Sequence, residues 1–276
     1  MERRRFLESS GALGAAAAAT VASAAATALP GCSSAAPAPR PSGKTFVLVH
    51  GAWHGAWSWE RLTPLLRARG HEVRVLTLAG VGERIGEIST AIDLETHIAD
   101  VTGFIRSQDL RQVVLVGHSY GGMVITEAAD RAADKLKALV YVDALIPGDG
   151  QCSLDLRSEE QNRIFHAKAK AGGGWRIAPT KAADFNVNAA DQAWVDGNCT
   201  DMSIACFTKR VRLTGAIDRV PNRMYIRAGG FTSEHFDSML AKAKADGRFD
   251  CHTLSGGHDL MVDQPDELTD LLLKAG

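Results

Sequence analysis

Beyond residue 44 the apolar positions follow two alternating rhythms. TFVLVH (45–50), HEVRVLTL (71–78), QVVLVG (112–117), ALVYVDA (138–144), RMYIRA (223–228) and RFDCHTL (248–254) are short, largely apolar runs, and they predict strands. WERLTPLLRARG (59–70), DLETHIADVTGFIRSQ (93–108), the stretch 121–131, SEHFDSMLAKAKA (233–245) and PDELTDLLLKA (265–275) space their apolar residues three and four apart. That spacing predicts helices, the second capped by Asp93 and the first stopped by Gly70. Strand and helix in turn imply an α/β class fold, a mostly parallel, doubly wound sheet covered by helices on both faces. Through residues 148–221 the rhythm stops, and GDGQ and AGGGW punctuate a stretch of scattered polar and aromatic residues. A long insertion into an otherwise regular sheet is expected to be a lid, here between the strand ending at Asp143 and the strand starting near Arg223.

The first 43 residues differ in kind. MERRRFLESS is a charged start, and GALGAAAAATVASAAATAL then runs uncharged and rich in alanine, too weakly apolar to hold a helix in lipid. Residues 1–31 are therefore expected to be an export signal, and Arg3-Arg4-Arg5-Phe6-Leu7 resembles the twin-arginine kind. Residues 32–43 form an Ala/Pro-rich tether leading to a domain over 44–276. Cys32 stands where a bacterial lipoprotein is cleaved and lipidated, although Pro30 is unusual there; lipidation and plain cleavage both stay open. The expected location is the periplasm or cell envelope, with membrane contact only through a lipid on Cys32. Of the other four cysteines, Cys199 and Cys206 could pair in an exported protein, against the alternative of buried free thiols. No cysteine spacing resembles a zinc site.

A formal net charge of −1, with no stripe of Lys and Arg interleaved with aromatics, excludes a nucleic-acid partner. A small molecule becomes the default ligand. The candidate chemistry lies in VVLVGHSYGG (113–122), where G-x-S-x-G falls between a strand and a helix. The motif alone is a weak signal, but in that context it describes a nucleophile elbow with Ser119 exposed at its tip. A serine hydroxyl needs a base, and His258 follows two glycines after the last strand, in LSGGHDLMVDQP. HGAWHGAW (50–57) follows the first strand, so the N–H groups of Ala52 and Tyr120 are the candidate oxyanion donors. Trp53 and Trp57 are candidate pocket residues, with packing as their alternative role; Tyr120, Trp175 and Trp194 complete an expected aromatic rim. The chemistry requires no metal and no cofactor.

FVLVHGAWHGAWSW, VVLVGHSYGGMV and GGHDLMVDQPDEL resemble the α/β-hydrolase superfamily, in particular its branch of plant-type methylesterases, hydroxynitrile lyases and bacterial esterase relatives. The resemblance implies a serine hydrolase acting on a small or medium carboxylic ester. Lyases of that branch carry a threonine where this chain has Gly51 and a lysine where it has Asp259, which argues for ester hydrolysis over carbon–carbon cleavage. A ligand-binding protein with an idle triad is the other alternative. The triad acid is the main departure, because AGGFTS (228–233), where the family usually places it, holds no carboxylate. Asp143, at the mouth of an apolar strand, is the preferred acid, similar in placement to that of haloalkane dehalogenase-like members. Glu234 and Asp237 are the alternatives, with a dyad lacking an acid or another carboxylate of the lid also open.

Overall fold

The computed structural model describes residues 43–276; the predicted signal, Cys32 and the tether up to residue 42 lie outside the described residues. Among the described residues eight strands occur: β1 (Thr45–Val49), β2 (Glu72–Leu76), β3 (Val113–His118), β4 (Leu136–Val142), β5 (Arg176–Ile177), β6 (Met202–Ser203), β7 (Asn222–Ala228) and β8 (Phe249–Leu254). The α-helices are α1 (Leu62–Ala68), α2 (Leu94–Ser107), α3 (Gly121–Arg131), α4 (Glu159–Ala171), α5 (Gln192–Asn198), α6 (Ala205–Thr208), α7 (Glu234–Asp246), α8 (Leu260–Asp263) and α9 (Pro265–Leu272). Six strands form one sheet in the order β2-β1-β3-β4-β7-β8, every neighbour parallel.

Alternate residues of each central strand feed two separate cores, as the period of two dictates. Val49, Leu115 and Tyr141 pack with Ile98 of α2, Ile125 of α3 and Met239 of α7. Leu48, Val116 and Val140 face the other way, onto Leu62 of α1 and Leu268 of α9. Asp93 caps α2, its carboxylate accepting the Thr96 N–H at 3.1 Å, and Pro265 opens α9, where a missing N–H costs nothing. From β1 the chain passes to β2 on one side and then to β3 on the other. This reversal opens a crevice at the carboxyl ends of β1 and β3, the position where doubly wound sheets hold ligands.

The segment 148–221 contains α4, α5, α6 and the antiparallel pair β5-β6. The start of α4 carries a capping box that the apolar pattern does not reveal: Ser158 Oγ accepts the Gln161 N–H, and Gln161 Oε1 accepts the Ser158 N–H. Cys199 and Cys206 are both free thiols. The Cys206 thiol turns instead toward the Ile92 carbonyl, 3.7 Å away, so the bridge left open by their spacing is absent.

Candidate active site

Ser119 follows β3 with φ at 53°, a left-handed conformation that a serine adopts only where its surroundings enforce it. Those surroundings are explicit. The Ser119 N–H donates to the Val142 carbonyl at 3.2 Å, and the Ser119 carbonyl accepts from Gly122 and Leu145. The neighbouring glycines let backbone pass at close range. A Cβ on Gly121 would fall 2.7 Å from the His50 carbonyl oxygen, and one on Gly51 would fall 2.8 Å from His118 Nδ1. Glycine at 51 thus brings the loop after β1 against the serine.

The structure brings Ser119, His258 and Asp143 into one chain of contacts. Ser119 Oγ lies 2.8 Å from His258 Nε2, and His258 Nδ1 lies 2.6 Å from Asp143 Oδ2. A carboxylate there accepts the Nδ1 proton, leaving Nε2 as the acceptor of the serine hydroxyl. Asp143 is fully buried at the end of β4, with φ at 40°. Its other oxygen accepts from Arg227 Nη1 at 2.8 Å and from the Ala228 N–H at 3.1 Å. Glu234 is exposed at the start of α7, and Asp237 binds Arg227 Nε at 3.0 Å from the far side. Neither touches His258. Arg227 was not anticipated from sequence. The available signal was a charge at the end of an apolar strand, beside the strand that ends in Asp143, since a buried ion requires a partner.

The backbone N–H groups of Ala52 and Tyr120 have no hydrogen-bond acceptor among the described residues, while Ala52 and Ser119 line one cavity. Two histidines hold the loop that carries Ala52. His50 Nδ1–H donates to the Gly51 carbonyl at 2.8 Å while Nε2 accepts the Leu78 N–H at 3.0 Å. Burial pushes His50 down to about 3, so it stays neutral. His54 places Nδ1 2.6 Å from the Ala52 carbonyl and Nε2 3.1 Å from Asp259 Oδ2. Both partners are acceptors, so both ring nitrogens carry protons. Burial opposes this charge, but the adjacent Asp259 carboxylate outweighs it and raises the His54 pKa. Asp259 itself, despite full burial, is held well below the usual carboxylate range by His54.

The cavity measures about 290 Å³. Trp53, with φ at 67°, lines it, and segment 148–221 grips this strained residue twice: Trp53 Nε1 donates to the Ile177 carbonyl at 3.0 Å, and the Trp53 carbonyl accepts from Thr200 at 2.9 Å. The structure does not bring Trp57 into the cavity. Its ring stacks on His54, 5.0 Å between centroids, and meets the edge of Trp194. The Tyr120 ring is buried, its hydroxyl bonded to His97 at 3.0 Å, and Trp175 lies under the Arg176 guanidinium. Phe165, Phe185 and Phe236 join Trp53 in the aromatic wall, in place of the expected Trp57, Trp175 and Trp194. His118, His258 and Asp259 offer possible metal-ligand atoms within 4.8 Å of one another. Both ring nitrogens of His258 are engaged by Ser119 and Asp143, so an ion there would compete with that relay.

The family pattern described as "Alpha/beta hydrolase family" matches residues 46–271. The chain belongs to this family. It is 38% identical over 239 residues to the carbendazim hydrolyzing esterase of Nocardioides sp. (strain SG-4G), an alignment covering 84% of this chain and 99% of that protein. To the salicylic acid-binding protein 2 of Nicotiana tabacum it is 42% identical over 108 residues, 38% of this chain and 41% of that protein. Among solved structures, an extracellular alpha/beta-hydrolase from a Paenibacillus species, described as sharing structural and functional homology with the tobacco protein, superposes with a TM-score of 0.75. That likeness has 25% sequence identity and covers 84% of this chain and 99% of the other.

Proposed function

We propose that this protein is an exported serine esterase that cleaves a small or medium carboxylic ester through an acyl-enzyme. The observation that carries the reading is the Ser119–His258–Asp143 relay opening into a cavity beside two unengaged backbone N–H groups. Ser119 Oγ attacks the ester carbonyl as its proton passes to His258 Nε2, and the N–H groups of Ala52 and Tyr120 receive the oxyanion. The intermediate collapses, and the departing alkoxide takes the proton from His258. Water, giving a proton to the same nitrogen, then attacks the acyl group, and the acid leaves as Ser119 regains its hydrogen. Kinship with the carbendazim hydrolyzing esterase supports the hydrolytic reading.

Gly51 offers no side-chain hydroxyl and Asp259 is buried against His54, so these two positions bring neither hydroxyl nor ammonium to the cavity. This favours hydrolysis over the lyase alternative. The strained serine conformation and open oxyanion donors favour an enzyme over an idle binder. The test is Ser119→Ala. Its ester turnover falls by several orders of magnitude with the fold kept, and a fluorophosphonate labels the wild type at Ser119 but not the variant. Undiminished hydrolysis by the purified variant would refute the assignment.

A further inference from the structure

We propose that Arg157 is a carboxylate receptor, and that the ester cleaved at Ser119 therefore carries an anionic group on its acyl or alcohol part. The inference rests on the serine-esterase reading and deepens it to a substrate class. Arg157 precedes the cap of α4 and lines the cavity that holds Ser119 and His258. Its guanidinium lies over the Phe165 ring, 4.5 Å from Cζ to centroid. Its one polar contact among the described residues is Nη2 with Ser153 Oγ, at 3.5 Å, and no carboxylate pairs with it there. Nε is buried without an acceptor.

Arg157 is half-buried, and the two buried arginines are treated differently. Arg227 pairs with Asp143 and Asp237, and Arg223 pairs with Asp218. Burial lowers the Arg157 pKa to about 10, which still leaves the side chain charged at neutral pH. A partly desolvated cation with a buried, unpartnered Nε is costly, and its survival in an active-site wall is accounted for if a ligand supplies the partner. The guanidinium edge bearing Nε presents parallel donors, a match for the two oxygens of a carboxylate.

The rest of the cavity agrees in sign and shape. Lys168 lines the same wall, its Nζ held by Thr180 Oγ1 at 3.0 Å and by nearby backbone carbonyls rather than by an ion pair. Asp184 is the single carboxylate in the cavity wall; it is exposed and forms no ion pair among the described residues. Two cations thus face one solvated anion. Trp53, Phe165, Phe185 and Phe236 line the same cavity as Arg157 and the serine and give it an apolar body. A half-ester of a dicarboxylic acid, or an ester of a carboxyl-bearing alcohol, combines these features: a charged end, an apolar body and a scissile carbonyl.

Two matched pairs test this. Phenyl hexanoate is compared with the monophenyl ester of adipic acid, and phenyl acetate with 4-carboxyphenyl acetate, so that the charge lies once on the acyl side and once on the alcohol side. In at least one pair the wild type favours the anion by tenfold or more in kcat/KM. Arg157→Gln lowers that ratio at least tenfold, while Arg157→Lys retains part of it. A second measurement needs no variant: adipate monoanilide inhibits the wild type at least tenfold more strongly than the matching neutral amide. If neutral esters are hydrolysed and Ser119 is labelled, but neither pair nor inhibitor shows a preference for the anion, this inference fails and the esterase reading stands. A preference unchanged in Arg157→Gln also overturns it. Failure of any ester to turn over, with Ser119 unlabelled, removes both.

Discussion

Asp143 holds His258 through one carboxylate oxygen because the other is taken twice, by Arg227 and by the Ala228 N–H. That division predicts how an amide would behave. In Asp143→Asn the carbonyl oxygen keeps the two donors, which turns the NH2 group toward His258 Nδ1. The imidazole must then accept at Nδ1 and carry its proton on Nε2, the tautomer that cannot take a proton from Ser119. Turnover is expected to fall about 10³- to 10⁴-fold, while Arg227 keeps its contact with Asp237 and helps hold the fold. Glu234→Gln, at an exposed position away from His258, is expected to change turnover by less than about twofold. Steady-state kinetics on the two purified variants decide between them, and the reverse order would sink the assignment of Asp143. The contact of Asp143 with His258 was legible because a carboxylate at the mouth of an apolar strand demands a reason. Arg227 was not, since its partner lies on a neighbouring strand 84 positions away and sequence spacing does not carry that proximity.

Between elements, the same limit separates what was readable from what was not. The sheet strands and their covering helices announce themselves by period, so the sequence alone locates the carboxyl ends of β3, β4 and β8. In segment 148–221 the strands are two residues long and have no period, and with them the positions of Phe165 and Phe185 were hidden. Aromatic identity was a poor substitute, because it gives no direction: Trp57 faces His54, not the cavity. The His54–Asp259 pair was equally unreadable, and it clasps the loop after β1 to the loop that carries His258. Its linkage to pH follows from the two shifts. His54, raised in the fold, contributes stability that is complete below its unfolded value, about 6.5, and is lost as pH rises through the folded value. Asp259, lowered in the fold, contributes stability that is present above about 3.8 and is lost as pH falls through its folded value. Asp259→Asn removes one partner of a buried pair and is expected to cost about 3 kcal/mol at pH 6. Urea unfolding of wild type and variant across pH reads both effects; a variant with the wild-type pH dependence on the alkaline side of neutrality would exclude the clasp.

At the scale of the whole chain, the described fold begins where the sheet does. Lys44, one residue before β1, donates through Nζ to the Leu273 and Ala275 carbonyls at 2.7 and 2.6 Å, fastening the entry of the domain to its last turn. Both described cores draw on residues from Phe46 onward. Removal of an export signal over 1–31 would therefore leave these contacts intact. Protein recovered from its native host is expected to lack residues 1–31 by mass spectrometry, and an intact Met1 on active cytoplasmic enzyme would refute export. Cys32→Ala separates the two fates of the remainder. If Cys32 carries lipid, the substitution moves activity from the membrane fraction to the soluble fraction or halts maturation of the precursor. If the signal is simply cleaved, activity is soluble in both proteins, and the tether has no anchoring role because a short Ala/Pro segment lacks the apolar area to bind a bilayer by itself.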